Sequence, residues 1–172
     1  VHSQTWPSKP ITVIVPFAAG GGVDATARLL MPKIADALKQ TIVIENVAGA
    51  AGTIGTQKAA RSAPDGYTLL FAVASPLNVA PVVAPSAVRY DTFKDFLPLS
   101  TVAIGPFVLI GRSTLEPKTT ADLIKMARAM PGKLNFGTDG VGTSLHVTGE
   151  LIKQRAYLDI VHVPYKSRPQ VL

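Results

Sequence analysis

The stretch "VPFAAGGGVDATARLL", residues 15–30, sets three consecutive glycines between an apolar run that reads as a strand and an amphipathic run that reads as a helix. A strand that turns through small residues into a helix is the repeating unit of α/β proteins. The same alternation continues on both sides. "ITVIVPF" (11–17), "TIVIENV" (41–47) and "YTLLFAVA" (67–74) are β-branched runs that read as three buried parallel strands. Between them, "VDATARLLMPKIADALKQ" (23–40) and "AGTIGTQKAARSA" (51–63) have helical periodicity. In the first of these, Ala27, Leu30, Ile34 and Leu38 fall on one face. Pro32 sits inside that helix, lacks an N–H for the Arg28 carbonyl, and predicts a kink. Asp65-Gly66 makes the turn into the third strand.

Near residue 100 the pattern restarts. "LSTVAIGPFVLIGRS" (99–113) reads as a long apolar strand interrupted at Gly105-Pro106, crossing into a second lobe. A helix over "TTADLIKMARAMPG" (119–132) is opened by Thr119 with Asp122 three residues on, close to a capping box. A strand "KLNFG" (133–137), a loop "TDGVG" (138–142), a helix "TSLHVTGELIKQRA" (143–156) and a strand "LDIVHVPY" (158–165) follow. Parallel sheets are therefore expected in both parts, with residues 1–100 as a βαβαβ first lobe and 101–172 as a partial second lobe.

Composition narrows the function. The 172 residues are 47% hydrophobic and 16% charged, so a buried core is expected and disorder is not. No apolar run is long enough to span a membrane. The net charge is +6, but Lys33, Lys39, Lys58, Arg61 and Lys94 are scattered singly, without the basic stripe that a nucleic acid selects. With no cysteine there is no disulfide, thiolate metal site or cysteine nucleophile. His2, His146 and His162 lack ligand spacing, so no metal site and no cofactor is expected. "VHSQTWPSKP" has neither a basic start nor an apolar segment of signal-peptide length, so the expectation is that any export signal has already been removed or never existed.

Three glycine loops each follow a strand and open a helix: "AAGGG" (18–22), "GAAGTIG" (49–55) and "GTDGVGTS" (137–144). Glycine admits positive φ and close approach, and a helix start offers unpaired amides and positive potential, so the natural guest is an anion. No lysine follows the glycines as a P-loop requires, and G-x-G-x-x-G fits none of the loops. The alternative, a tight βα turn serving backbone geometry alone, is the reading kept for 49–55. The other two loops carry extra polar groups. Asp24 reads as a helix cap, with direct ligation the alternative. Thr143 and Ser144 cap their helix and also present hydroxyls. His146 lies two residues past Ser144 on another helical face, which argues against a Ser-His catalytic pair and leaves it either packed at the cleft wall or touching a ligand.

The chain resembles the periplasmic solute-binding proteins of the tripartite tricarboxylate transporters, the Bug family of receptors. The resemblance is carried in order by "WPSKPITVIVPFAAGGGVDATAR" (6–28), "VIENVAGAAGTIGTQKAARSAPDGYTLL" (43–70), "YDTFKDFLPLS" (90–100), "MPGKLNFGTDGVGTSLHVTGELI" (130–152) and "DIVHVPYKS" (159–167). It implies a two-lobed, type II flytrap rather than an enzyme, closing on a small carboxylate and delivering it to membrane transporter subunits from the periplasm. It places ligand contacts at Phe17, Ala18, Ala19, Gly20, Gly21, Gly22 and Asp24 in the first lobe. In the second it places them at Thr138, Gly140, Gly142, Thr143, Ser144 and His146. The "AVASPLN" loop (72–78) adds Ser75 and Asn78 near the variable end of the ligand. Ser167 departs from the family's glycine at that turn. Family members are longer, so the second lobe is expected to be incomplete, the chain being a gene fragment, a proteolysed product, or a truncated protein whose edges and apolar faces are covered by a partner or by a homo-oligomer. The rival readings are a nucleotide- or phosphate-using α/β enzyme and a remnant that acts only as an interaction module.

Overall fold

The computed structural model of the chain describes residues 6–165 and 170–171; His2 and Ser167 lie outside the described residues. Two sheets carry the architecture. The first has three strands, β1 (Ile11–Val15), β2 (Ile42–Asn46) and β3 (Thr68–Leu70), in the order β2-β1-β3. The second pairs β4 (Asn135–Thr138) with β5 (Val161–Pro164). Every pairing is parallel, as the βα alternation predicts: Ile11 lies opposite Ile42, Thr12 opposite Thr68 and Asn135 opposite Val161.

β1 is central because it is apolar on both faces. Ile11, Val13, Ile14 and Val15 are at most 1% exposed and form the heart of the core. Over it pack α1 (Gly22–Leu38) and α2 (Thr53–Ala60), the latter entered through a short 3₁₀ turn, Ala50–Gly52. The approach of α2 is close. A Cβ at Gly55 would lie 2.6 Å from the Val47 carbonyl oxygen and 2.8 Å from the Pro16 Cα, so only glycine lets this helix settle on the strand ends.

Several sequence expectations need correction. The buried row of α1 is Asp24, Ala27 and Met31, while Ile34 is 37% exposed. Asp24 accepts hydrogen bonds from the Gly20 amide in the preceding loop and from Asn46 on β2, which hold the row through Asp24 inward instead of the purely apolar row. Pro32 does lie inside this helix, as its sequence predicts, without ending it: α1 continues to Leu38. The run 67–74 shortens to a three-residue strand because Ser75–Val79 coil into one wide π-helical turn, continued by α3 (Ala80–Val83). β4 and β5 begin two and three residues later than expected.

The largest departure is 99–113, where no strand forms. A β-branched run becomes a strand only beside a partner ladder, none lies alongside among the described residues, and Pro106 has no N–H to offer. Ile104 is 93% exposed and Val108 75%. The result is an apolar strip of the kind that marks a contact surface. Beyond it come α4 (Thr120–Ala129) and α5 (Ser144–Ala156). Thr119 caps α4 by accepting from the Asp122 amide at 3.1 Å, as its sequence predicts.

Candidate functional site

In a parallel sheet all strand C-termini lie on one edge, and ligands of open α/β sheets bind outside that edge. The glycine loops after β1, β2 and β4 all leave from such edges.

The loop after β1 is held by one buried carboxylate. Asp24 is 2% exposed; its Oδ2 accepts from the Gly20 amide at 2.8 Å, and both of its oxygens accept from Arg28 Nε at 3.0 and 2.9 Å. Asn46, at the C-terminal end of β2, donates from Nδ2 to Asp24 Oδ1 at 3.0 Å and to the Phe17 carbonyl at 3.1 Å, and its own carbonyl accepts from Arg28 Nη2 at 3.1 Å. The hydrogen bonds from Arg28, reinforced by those of Gly20 and Asn46, outweigh burial and hold the carboxyl well below its ordinary value of 3.8, at about 2. Asp24 is thus ionised at any physiological pH, and its charge is turned toward the loop and Arg28.

What this leaves is an open helix start. The N-cap of α1 is Gly21, with no side-chain cap, and Asp24 reaches back to Gly20 from the third helical position. Ala19, Gly20 and Gly22 are exposed, while Phe17, Ala18 and Gly21 are half-buried. Gly20 has φ +80°, a value that glycine adopts freely. The Gly20 and Gly21 amides are taken, by Asp24 Oδ2 and by the Ala18 carbonyl at 3.3 Å, and the first-turn amides that follow, which no helix can satisfy internally, start at the exposed Gly22 at the positive end of a 17-residue dipole.

The loop after β4 is built differently. Thr143 is the N-cap of α5, accepting from the His146 amide at 3.3 Å and donating to the Gly140 carbonyl at 2.9 Å. The Gly142 amide donates to His146 Nδ1 at 3.2 Å. The Ser144 amide donates to Ser75 Oγ at 3.0 Å, and the two serine hydroxyls are 3.0 Å apart. Three donors at this helix start are already taken.

Ser75 joins the two parts through Ser144. It is 5% exposed, and its turn is pinned from above by the Tyr90 hydroxyl on the Pro76 carbonyl and by Thr92 Oγ1 on the Leu77 carbonyl at 2.8 Å. Pro76 and the Phe17 ring both crowd Gly52: a Cβ there would meet Phe17 at 3.0 Å and Pro76 at 3.2 Å. Phe17, Gly52, Pro76, Ser75 and Ser144 thus form a continuous chain of contacts from the first loop to the third. The tight fit at Gly52 agrees with a packing role for the 49–55 loop. Asn78 is exposed on the next part of the turn.

His146 packs rather than projects. Its ring stacks on His162 with centroids 4.2 Å apart and planes at 29°, and Phe136 lies on His162 at 4.8 Å. Thr138 Oγ1 is 2.7 Å from His162 Nε2 and accepts from the Gly140 amide at 3.3 Å. Burial first, and the neighbouring imidazole second, push the His162 ring below the usual histidine range. Among the described residues no group of three or more His, Cys, Asp or Glu side chains converges as metal ligands would.

Sequence reasoning missed Asn46, Arg28 and His162. Asn46 had a legible signal, a carboxamide closing the β-branched run "IVIEN", since an amide at a strand end can serve two loop partners at once.

The model for "Tripartite tricarboxylate transporter family receptor" matches residues 26–172. Protein BugT of Bordetella pertussis is 40% identical over 174 residues, covering 100% of this chain and 53% of that protein. The structure of R. palustris Rpa4515 with adipate superposes with a TM-score of 0.92 at 32% identity, over 97% of this chain and 56% of that one. MatC from Rhodopseudomonas palustris, with bound malate, gives 0.86 at 31% identity, over 94% of this chain and 55% of that one. The chain therefore spans about half the length of the relatives it matches.

Proposed function

The chain belongs to the tripartite tricarboxylate transporter receptor family, a family of binding proteins and not of enzymes, and from that premise we propose that it captures a small di- or tricarboxylate in the periplasm for membrane transporter subunits. One observation carries the ligand class: α1 begins at an exposed glycine turn with no side-chain cap. Main-chain donors at a positive helix end select a carboxylate and need no arginine. Such an end contributes roughly 0.3 to 2 kcal/mol to an anion.

In this reading residues 1–100 form the first lobe and 101–172 part of the second. One carboxylate lies on the turn Ala19–Gly22, and the hydroxyl pair Ser75 and Ser144 faces it from the other side. Asp24 does not touch the ligand; it shapes the turn through Gly20, and Asn46 does so through Phe17. The relatives solved with adipate and with malate support a dicarboxylate of that size range.

Isothermal titration with adipate, malate and ATP tests the proposal. Saturable heat with a dicarboxylate and none with ATP is the expected result. Binding of ATP alone, or of no carboxylate across a panel of di- and tricarboxylates, overturns it.

A further inference from the structure

Resting on that receptor reading, we propose that His146 is a positioning residue: only its neutral ring holds the loop 138–143 in the binding shape, so affinity for the carboxylate falls as the ring takes up a proton. The geometry is specific about the proton. The Gly142 N–H points at His146 Nδ1 from 3.2 Å, and an imidazole nitrogen accepts only when it carries no hydrogen. Protonation sets N–H against N–H at that contact, and the loop must move or the ring must turn. Turning is opposed by the stack on His162 and, behind it, by Phe136.

The other end of the same loop is fastened by the second imidazole, through Thr138 Oγ1 and His162 Nε2 at 2.7 Å. Thr138 in turn accepts from the Gly140 amide. The two rings therefore clasp residues 138 and 142, and a second positive charge on the stacked pair is disfavoured by the first. Other charged and titratable groups surround them. Glu150, one turn further along α5, lines a groove of about 520 Å³ together with His146 and Gly142. It is ion-paired with Lys153 at 3.0 Å, and that ammonium lies 5.8 Å from the Phe136 ring. At His162 the carboxylate favours a proton and the ammonium opposes it. Asp139 is the remaining carboxylate of the loop, and the Tyr165 ring approaches from beyond β5 to within 3.2 Å of a Cβ placed at Gly137. Displacement at Gly142 reaches the site directly, because Thr143 and then Ser144, bonded to Ser75, follow it in the chain.

His146→Asn is the discriminating variant, since its side-chain oxygen can accept the Gly142 N–H and cannot titrate. The amide resonance of Gly142 and the ring protons of His146 are followed by NMR in the unliganded wild type from pH 8 to pH 5. Adipate binding to both proteins is measured by calorimetry across the same range, with thermal unfolding at pH 7.5 establishing that the variant is folded. The Gly142 amide is expected to titrate with the midpoint of the His146 ring. One pH unit below that midpoint about a tenth of the rings are neutral, so wild-type affinity should fall roughly tenfold relative to the variant, in which the ionisation of adipate itself is the same. A Gly142 amide indifferent to the His146 titration, or equal pH dependence in the two proteins, overturns the inference. If adipate binds neither protein at any pH, the receptor reading fails for that ligand while the amide titration still decides the role of His146.

Discussion

Replacing Asp24 with asparagine keeps the size of the side chain and one oxygen for the Gly20 amide but removes the charge that faces Arg28. The lowering of the Asp24 carboxyl from 3.8 to about 2 measures what that charge contributes. At roughly 1.4 kcal/mol per pH unit the shift corresponds to about 2 to 3 kcal/mol, and about 2 is the better figure because solvent screens the half-exposed guanidinium. The folded value lies below the unfolded one, so the contribution is complete above about pH 4 and is lost as the pH falls through about 2. For a chain of 172 residues, each kcal/mol moves the melting temperature by about 2–4 °C, so Asp24→Asn should melt about 4–8 °C lower at pH 7. Scanning calorimetry of both proteins from pH 7 to pH 2 should show the gap closing below pH 4. Comparing the variant with the wild type cancels the titration of the other carboxylates. A gap of constant size over the whole range, or none at pH 7, refutes the assignment of Asp24 as the ionised anchor of the first loop.

Gly20→Val meets no atom within 4 Å of its new Cβ, and the left-handed backbone costs it about 1–2 kcal/mol; adipate binding should fall by far more than urea-measured stability, and equal losses count against a ligand role. Gly55→Ala, by contrast, drives a methyl into the Val47 carbonyl and the Pro16 backbone, and should cost about 1–3 kcal/mol in urea unfolding through overpacking. Ile104→Lys places a charge in the apolar strip; if that strip drives self-association, sedimentation should show a concentration-dependent mass in the wild type that the variant reduces, and identical profiles remove the strip from consideration.

The sheet content was legible because it rests on local pattern. The β-branched runs at 11–15 and 42–46 hold their strands from the sequence alone, and the parallel pairing follows from the helices between them. The same logic failed at 99–113, whose composition is equally strand-like, because a strand is a pairing and no propensity supplies the partner. The roll of α1 was misread for a related reason. Ranking residues by apolarity chose Ile34, whereas a polar residue, Asp24, fixes the face through bonds to a loop and a neighbouring strand. Of the candidate site, the loops were visible as glycine and hydroxyl clusters. The clasp around them was not, because Asn46 lies 22 residues from Asp24, and His162 lies 24 residues from Thr138.

The two helix starts that looked equivalent as sequence differ in their capping, α5 having a side-chain cap and α1 none, and this has a consequence for how a ligand can be gripped. α1 has its Gly20 and Gly21 amides engaged by Asp24 and by the Ala18 carbonyl but no side-chain cap on the amides that follow, so in the proposed site this half is preformed and loses little on meeting an anion. α5 has its early donors engaged by Thr143, His146 and Ser75, so a ligand oxygen arriving there must either accept from a hydroxyl or displace Ser75 from the Ser144 amide. Displacement would exchange one hydrogen bond for another and gain chiefly the charge of the carboxylate over that of a hydroxyl. Ser75→Ala separates these routes. It frees the Ser144 amide, so adipate should bind more tightly if the ligand competes with Ser75, and more weakly if the Ser75 hydroxyl is itself a contact. Unchanged affinity by calorimetry would place the carboxylate on α1 alone and exclude both routes.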